Sequence, residues 1–378
     1  MKELNIAVNV RHLIPDKMEG IGWYSYQIMK RLTQQHPDVH FYFLFDRNFS
    51  DEFIFSDNIT PIILTPPARH PLLIYIWNEW TVPNLLNKLK PDVYLSLDGF
   101  ISKRSKYKQY AVVHDINFVV FPEHLTWSIK KLYDYFFVKH IHYANRIATV
   151  SEYSKSEIVQ YLHYSEDKID IIPNASNLKF RDILPNEEQH IKAQFTNGKN
   201  YFLYVGSIHP RKNIIGLINA FNLYKKNSLT DDKLVIVGRF FWGKREVMDV
   251  VEKSPFKNDI IFTGRLNDDT TMVLMKFAKA LVMVSFYEGF GVPVIEAMQL
   301  GTPVICSNTT ALNEVAGNAA LKVNPQDIQE IAKGMQTIST NSEVVKNLIS
   351  KGKEQAQKYN WDISANKLWD EIMKLSSN

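Results

Sequence analysis

At 378 residues, 45% hydrophobic and 22% charged, the chain has the composition of a folded protein and exceeds the usual size of one hydrophobic core, so two domains are expected. Its formal net charge of +4 is spread along the sequence rather than gathered in a tail, which argues against a nucleic-acid partner. The longest nearly uninterrupted apolar run, PLLIYIW, falls far short of the roughly 20 residues that cross a bilayer.

In chain order, MKELNIAVNV leads into a strand with no signal-like apolar region. Strands are predicted at LNIAVNV, FYFLF, ITPIILT, VYLSL, YAVVH and RIATV, with helices beginning near Ile21, Leu125 and Glu152. The pattern restarts at YFLYVG and continues through KLVIVG, IIFTG, ALVMVS and PVICSN. Strands alternating with helices imply parallel sheets covered on both faces, here two α/β domains at 1–185 and 200–360. Between them, residues 186–199 read as a polar linker or a partly helical connection. The end of the chain, 361–378, places Trp361, Ile363, Leu368 and Ile372 near one helical face. This helix is expected to pack, either back across the first domain or on the surface of the second. The single cysteine, Cys306, sits in a strand-like run and reads as a buried small hydrophobe in a reducing compartment, so a cytoplasmic protein is expected.

The densest chemistry lies in FYEGFGVPVIEAM, residues 286–298. A strand, a loop and a short helix succeed one another there, with Pro293 in the first helical turn and Gly301 at its end. Loops at the C-terminal edge of a parallel sheet are where ligands bind. Gly289 and Gly291 permit close backbone approach, and the helix start offers unpaired N–H groups suited to phosphate. Glu296, one turn into the helix, is placed to accept from a vicinal diol such as a ribose, while Glu288 projects from the loop. Two acids also fit glycoside hydrolysis, or two solvated glutamates, and spacing alone leaves these open.

YVGSIHPRKN, residues 204–213, is a second anion candidate: Gly206 follows a strand, and Arg211 and Lys212 precede a helix. Two cations there oppose the helix dipole unless an anion or an acid compensates. In the first half, Gly20 and Gly22 lie between the first strand and a periodic helix, and His114 and Asp115 follow a buried-looking strand. His114 is open to a sugar or phosphate contact, or to a structural hydrogen bond. No metal site is expected: His140 and His142 do not face one way, HExxH is absent, and no DxD motif accompanies the acids.

Taken together, GIGWYSYQIMKRL, VVHDINF, TVSEYSKSEIVQYL, IIPNAS, YVGSIHPRKN, IIFTGRL and the run from FYEGFGVPVIEAM through GTPVICSNTTALNEVAGNAALKVNP resemble the retaining group 1 (family 4 type) nucleotide-sugar-dependent glycosyltransferases. The resemblance implies a GT-B architecture of two Rossmann-like domains, an acceptor-binding first and a donor-binding second. It implies Glu296 on the ribose hydroxyls, Arg211 and Lys212 on the diphosphate, and Arg265 near the base. Glu288 would stand near the donor sugar, with the backbone around Phe290, Gly291 and Val292 orienting its hydroxyls or phosphates. His114, with the glycine turn at Gly20 and Gly22, would complete the cleft from the other domain. Two positions depart from the pattern: Ser207 where many relatives carry arginine, and Ala175 where glycine is common.

The SIHPRKN variant resembles that of mannosyltransferases in the family, which implies GDP-mannose as donor, with a UDP-hexose as the alternative. No cofactor or divalent ion is required on this reading. The family implies a saccharide or lipid-linked glycan as acceptor. The basic KRSKYK run and the aromatic PLLIYIWNEW run fit peripheral contact with the inner face of the plasma membrane, and equally a solvated loop and a core element. An epimerase, a phosphorylase and a noncatalytic nucleotide-sugar-binding assembly protein are the other classes this organisation permits.

Overall fold

The β-branched and aromatic runs form two all-parallel sheets in the computed structural model, which describes residues 4–377. The first holds β1 (Leu4–Asn9), β2 (Val39–Phe45), β3 (Ile59–Ile63), β4 (Val93–Ser96), β5 (Lys108–Val112), β6 (Arg146–Thr149) and β7 (Ile169–Ile171), in the order β3-β2-β1-β4-β5-β6-β7. The second holds β8 (Tyr201–Val205), β9 (Lys233–Val237), β10 (Ile260–Gly264), β11 (Ala280–Met283), β12 (Val304–Ser307) and β13 (Leu321–Val323), in the order β10-β9-β8-β11-β12-β13. In each, strand order reverses beside the first strand, between β1 and β4 and between β8 and β11. That reversal opens a crevice at the carboxyl ends of those strands. The edge strands β7 and β13 escaped the sequence reading because three residues are too few to show a period.

The chain divides into two compact units: one runs to Asn174 and resumes at Asn360, and the other is Ala175–Tyr359. The boundary therefore falls before the segment expected as a linker, residues 186–199. Most of that segment belongs to the helix Pro185–Thr196 in the second unit, where Pro185 opens the helix and Ile191 is buried. Within the second unit, Phe202, Tyr204, Ile236 and Val282 of the sheet pack with Leu217, Phe221 and Met335 from the helices Ile214–Ser228 and Ile328–Thr340. Each such side chain contributes about 1.5–3 kcal/mol by leaving water. Cys306 is buried in β12, and burial pushes its thiol up to about 12.

The helix Trp361–Ser377 lies in the first unit, against the helix Gly20–Gln35. Trp361 meets Tyr24 edge to face, Trp369 stacks on His36 at 3.6 Å between centroids, and Arg31 pairs with Asp362 at 2.6 Å. Leu368 and Ile372 are buried as expected, but Ile363 is exposed, and Ser364, Ala365 and Leu375 complete the inner face. Ser364 Oγ donates to the Pro173 carbonyl at 2.7 Å, fixing where the helix begins.

Candidate functional site

At the switch point of the second sheet, the residues after β8 and after β11 interlock. Beyond β8 the chain makes one tight turn, Pro210–Lys212, before the helix Ile214–Ser228. Asn213, in the left-handed region at φ 56°, caps that helix by accepting from Gly216 N–H at 3.2 Å. Its Nδ2 donates to the carbonyls of Val284 (3.0 Å) and Pro325 (2.7 Å), tying the turn to the loop after β11. The Arg211 carbonyl accepts from Phe286 N–H at 2.8 Å, and Arg211 Nη1 donates to the Tyr287 carbonyl at 3.0 Å.

These contacts bring three charged groups together. Lys212 Nζ forms an ion pair with Glu288 Oε1, Arg211 Nη1 stands 3.4 Å from Glu288 Oε2, and Ser285 Oγ donates to Glu288 Oε1 at 2.9 Å. Lys212 and Glu288 are both buried. Burial would raise the Glu288 carboxyl, but the charges of Lys212 and Arg211 outweigh it, so the group is held below its ordinary value and stays ionised. The acid that compensates two cations at a helix start is therefore Glu288, which answers the objection raised by the helix dipole.

Glu296 has another environment. It lies one turn into the helix Val292–Leu300, buried, with Ser176 Oγ 3.4 Å from Oε1 and the Asn177 backbone as its other partner. With no cation among these partners, burial pushes its carboxyl up to about 7. The helix opens on Gly291, whose φ of 98° is left-handed, and no side chain caps it. A Cβ there would stand 2.4 Å from Leu312 Cδ2. Phe290 turns inward against Tyr359, which leaves its backbone rather than its side chain at the helix start. Arg265 is exposed just beyond β10.

Gly206, at φ 150°, donates its N–H to the Val237 carbonyl at 2.9 Å. A Cβ on Gly238 would stand 1.8 Å from the Gly206 carbonyl oxygen, so these two glycines allow the loops after β8 and β9 to touch backbone to backbone.

In the first unit, Gly20 and Gly22 form the opening turn of the helix Gly20–Gln35 rather than a loop before it. Gly22 is needed for packing: a Cβ would stand 2.7 Å from the His12 carbonyl oxygen. His114 lies just beyond β5, half-buried, edge-on to Tyr24 at 4.8 Å, with Nε2 3.0 Å from the Leu97 carbonyl. A carbonyl only accepts, so Nε2 carries the proton. Burial lowers the imidazole from its ordinary value of 6.5, which leaves a neutral ring with Nδ1 as an acceptor.

Sequence reasoning missed a third cluster, at the switch point of the first sheet. Asp98, after β4, takes Asn9 Nδ2 and Ser96 Oγ at 3.0 Å each and the Phe100 N–H at 3.2 Å, and pairs with Arg11 Nε. His12 Nε2 lies 3.4 Å away. Burial would raise Asp98, but Arg11 and then His12 hold it well below the usual carboxylate range. The signal was positional: Arg11, His12 and Asp98 each follow a strand, and the two strands pair in the sheet. Among the described residues no group of three or more His, Cys, Asp or Glu side chains is placed to hold a metal ion. His140 is buried and His142 exposed.

The fold is similar to that of sucrose-phosphate synthase from Thermosynechococcus elongatus, with a TM-score of 0.78 over 99% of both chains at 19% identity. Two Rossmann-like domains of this kind in one chain define the GT-B class, and the protein is a glycosyltransferase of that class. The family model for glycosyl transferases group 1 matches residues 185–355, and the glycosyltransferase family 4 model matches residues 18–180. The chain belongs to the group 1, family 4 type glycosyltransferases. It is 28% identical over 363 residues to O-antigen chain mannosyltransferase B of Escherichia coli, covering 91% of this chain and 93% of that protein. It is also 28% identical over 293 residues to O-antigen chain mannosyltransferase RfbU of Salmonella typhimurium, covering 77% and 76%.

Proposed function

We propose that the protein transfers mannose from GDP-mannose, with retention at the anomeric carbon, to a saccharide or lipid-linked glycan acceptor reached by peripheral membrane contact. The observation that carries this reading is the convergence of Arg211, Lys212 and Glu288 at the switch point of the second sheet, beside the uncapped helix start at Gly291. Two cations and a helix N-terminus suit a diphosphate leaving group, without a divalent ion. The names of the two mannosyltransferase relatives support the choice of sugar.

The residue roles are those the family resemblance implies, and the environments are compatible with them. Before donor binds, Glu288 neutralises Lys212 and Arg211; a diphosphate competes for both cations and leaves Glu288 facing the sugar. Because Glu288 stays ionised it is assigned no proton-donor role. The departing phosphate takes the proton of the attacking hydroxyl, with no covalent nucleophile. Glu296 holds the ribose hydroxyls, Arg265 approaches the base, and the backbone from Phe290 to Val292 orients phosphate or sugar oxygens. His114 accepts a sugar hydroxyl at Nδ1.

Calorimetry with GDP-mannose, GDP, UDP-glucose and UDP in one buffer tests the donor. Tighter binding of GDP-mannose than UDP-glucose is expected, and the reverse order removes the mannose assignment. Transfer that survives a chelator, with an α-linked product by NMR, is expected of a metal-free retaining enzyme.

A further inference from the structure

Three exposed aromatic side chains of the first unit, Trp127, Tyr135 and Tyr143, belong to one helical run. Along the helical run from Trp127 to Tyr143, positions four apart alternate aromatic and cation: Trp127, Lys131, Tyr135, Lys139 and Tyr143, all exposed. Trp127 and Tyr135 keep 75% and 67% of their surface in water, an unusual fraction for side chains of this size. Lys131 Nζ stands 5.0 Å from the Trp127 ring centroid and Lys139 Nζ 4.3 Å from that of Tyr135. The opposite face, with Leu132, Phe136, Phe137 and Ile141, is buried in the core of the unit, so the stripe is held outward by a fixed helix.

The stripe continues into a basic loop. Gln109 Nε2 donates to the carbonyls of Ser102 (2.8 Å) and Tyr143 (3.2 Å). Buried Glu79 accepts Lys103 N–H at 3.0 Å and lies 3.2 Å from His140 Nδ1. Both contacts tie the exposed Lys103, Arg104 and Lys106 to the C-terminal end of the helix. There the Arg104 guanidinium covers the ring of Trp80 at 3.4 Å. Asp134 is the only exposed acid on the helical run, against Lys130, Lys131 and Lys139.

We propose that this face docks on an anionic lipid surface, with the aromatic rings at the headgroup level and the lysines on the lipid phosphates. Lysine is depleted from protein–protein interfaces, whereas aromatic residues interleaved with lysine on one side of a helix suit a membrane interface, where long stems lie on apolar surface and ammonium groups stay in water. The inference rests on the membrane-contact part of the proposed function and assigns that contact to named residues.

Vesicle flotation of the full chain tests it, using phosphatidylglycerol-containing and pure phosphatidylcholine vesicles. The protein is expected to float with the anionic vesicles only, and salt is expected to weaken the association. Both the pair Trp127→Ser with Tyr135→Ser and the pair Lys131→Glu with Lys139→Glu are expected to reduce binding at least tenfold, with GDP affinity unchanged as evidence of folding. Variants that float as well as the parent overturn the stripe assignment and leave membrane contact standing elsewhere. A parent chain that floats with neither vesicle overturns both. Intact GDP-mannose binding in either case separates these failures from a failure of the transferase reading.

Discussion

Lys212 and Glu288, 76 residues apart in sequence, form a buried ion pair at the switch point of the second sheet. Neither charge is cheap to bury, and each is tolerated because the other is present. On the proposed reading, the pair also holds in place the cation that a diphosphate would need. Its geometry depends on Asn213 and Arg211, which stitch the two loops together through backbone carbonyls.

Lys212→Ala therefore acts twice. Arg211 stays near Glu288, so the stability loss should fall below the ~3–5 kcal/mol of a fully orphaned buried charge, and a urea titration reads it. GDP affinity should drop roughly tenfold or more, as expected on losing a hydrogen bond to a charged group, while guanosine affinity holds. Equal losses for GDP and guanosine would remove the phosphate role.

His114→Ala should lower turnover more than donor affinity, because the imidazole belongs to the other unit and is assigned to a sugar hydroxyl rather than to the nucleotide. The depressed imidazole also sets a pH signature: burial holds His114 below its ordinary value, so its protonation should cut activity at a more acid pH than that of an ordinary histidine. Unchanged turnover at saturating donor and acceptor would contradict the assignment.

Three glycines separate conformational need from empty space. Gly238→Ala puts a Cβ against the Gly206 carbonyl, and Gly291→Ala forces an alanine to a φ of 98° beside Leu312. Both should destabilise by at least ~1–3 kcal/mol, with Gly238→Ala the more severe because the clash is with backbone. Gly20 has nothing within 4 Å of a Cβ and begins a helix, so Gly20→Ala should be neutral or stabilising by up to ~1 kcal/mol. Thermal unfolding of the three variants ranks them.

How much of this was legible in the sequence depended on range. The strand at ALVMVS, the loop holding Glu288 and the helix holding Glu296 were readable because period, proline and glycine are local signals. What Glu288 touches was not, since its partners come from another βα turn. The Asp98 cluster stayed hidden for the same reason: Arg11 and Asp98 mean little until β1 and β4 are known to be neighbours. The inward face of the C-terminal helix was nearly right, but Ile363 shows that an apolar residue close to a stripe can still fall on its wet side. The stripe from Trp127 to Tyr143 was passed over because two of its five members are lysines, which a search for apolar periodicity does not count.

Glu296 offers a test that needs no substrate. Its carboxyl stands near 7 in the folded protein against an ordinary 4.5, so the native state holds a proton that the unfolded chain releases. The sign follows: this contribution is fully present below about pH 4.5, declines as the pH rises and is exhausted above about pH 7. At 1.36 kcal/mol per pH unit the span amounts to roughly 3 kcal/mol. Glutamine copies the neutral acid without titrating. Urea unfolding of the parent and of Glu296→Gln at pH 5 and pH 8 should therefore show the parent losing stability relative to the variant at the higher pH. Parallel pH dependence in the two proteins would mean that Ser176 and the Asn177 backbone already stabilise the carboxylate, and that the ribose would then meet an ionised acid.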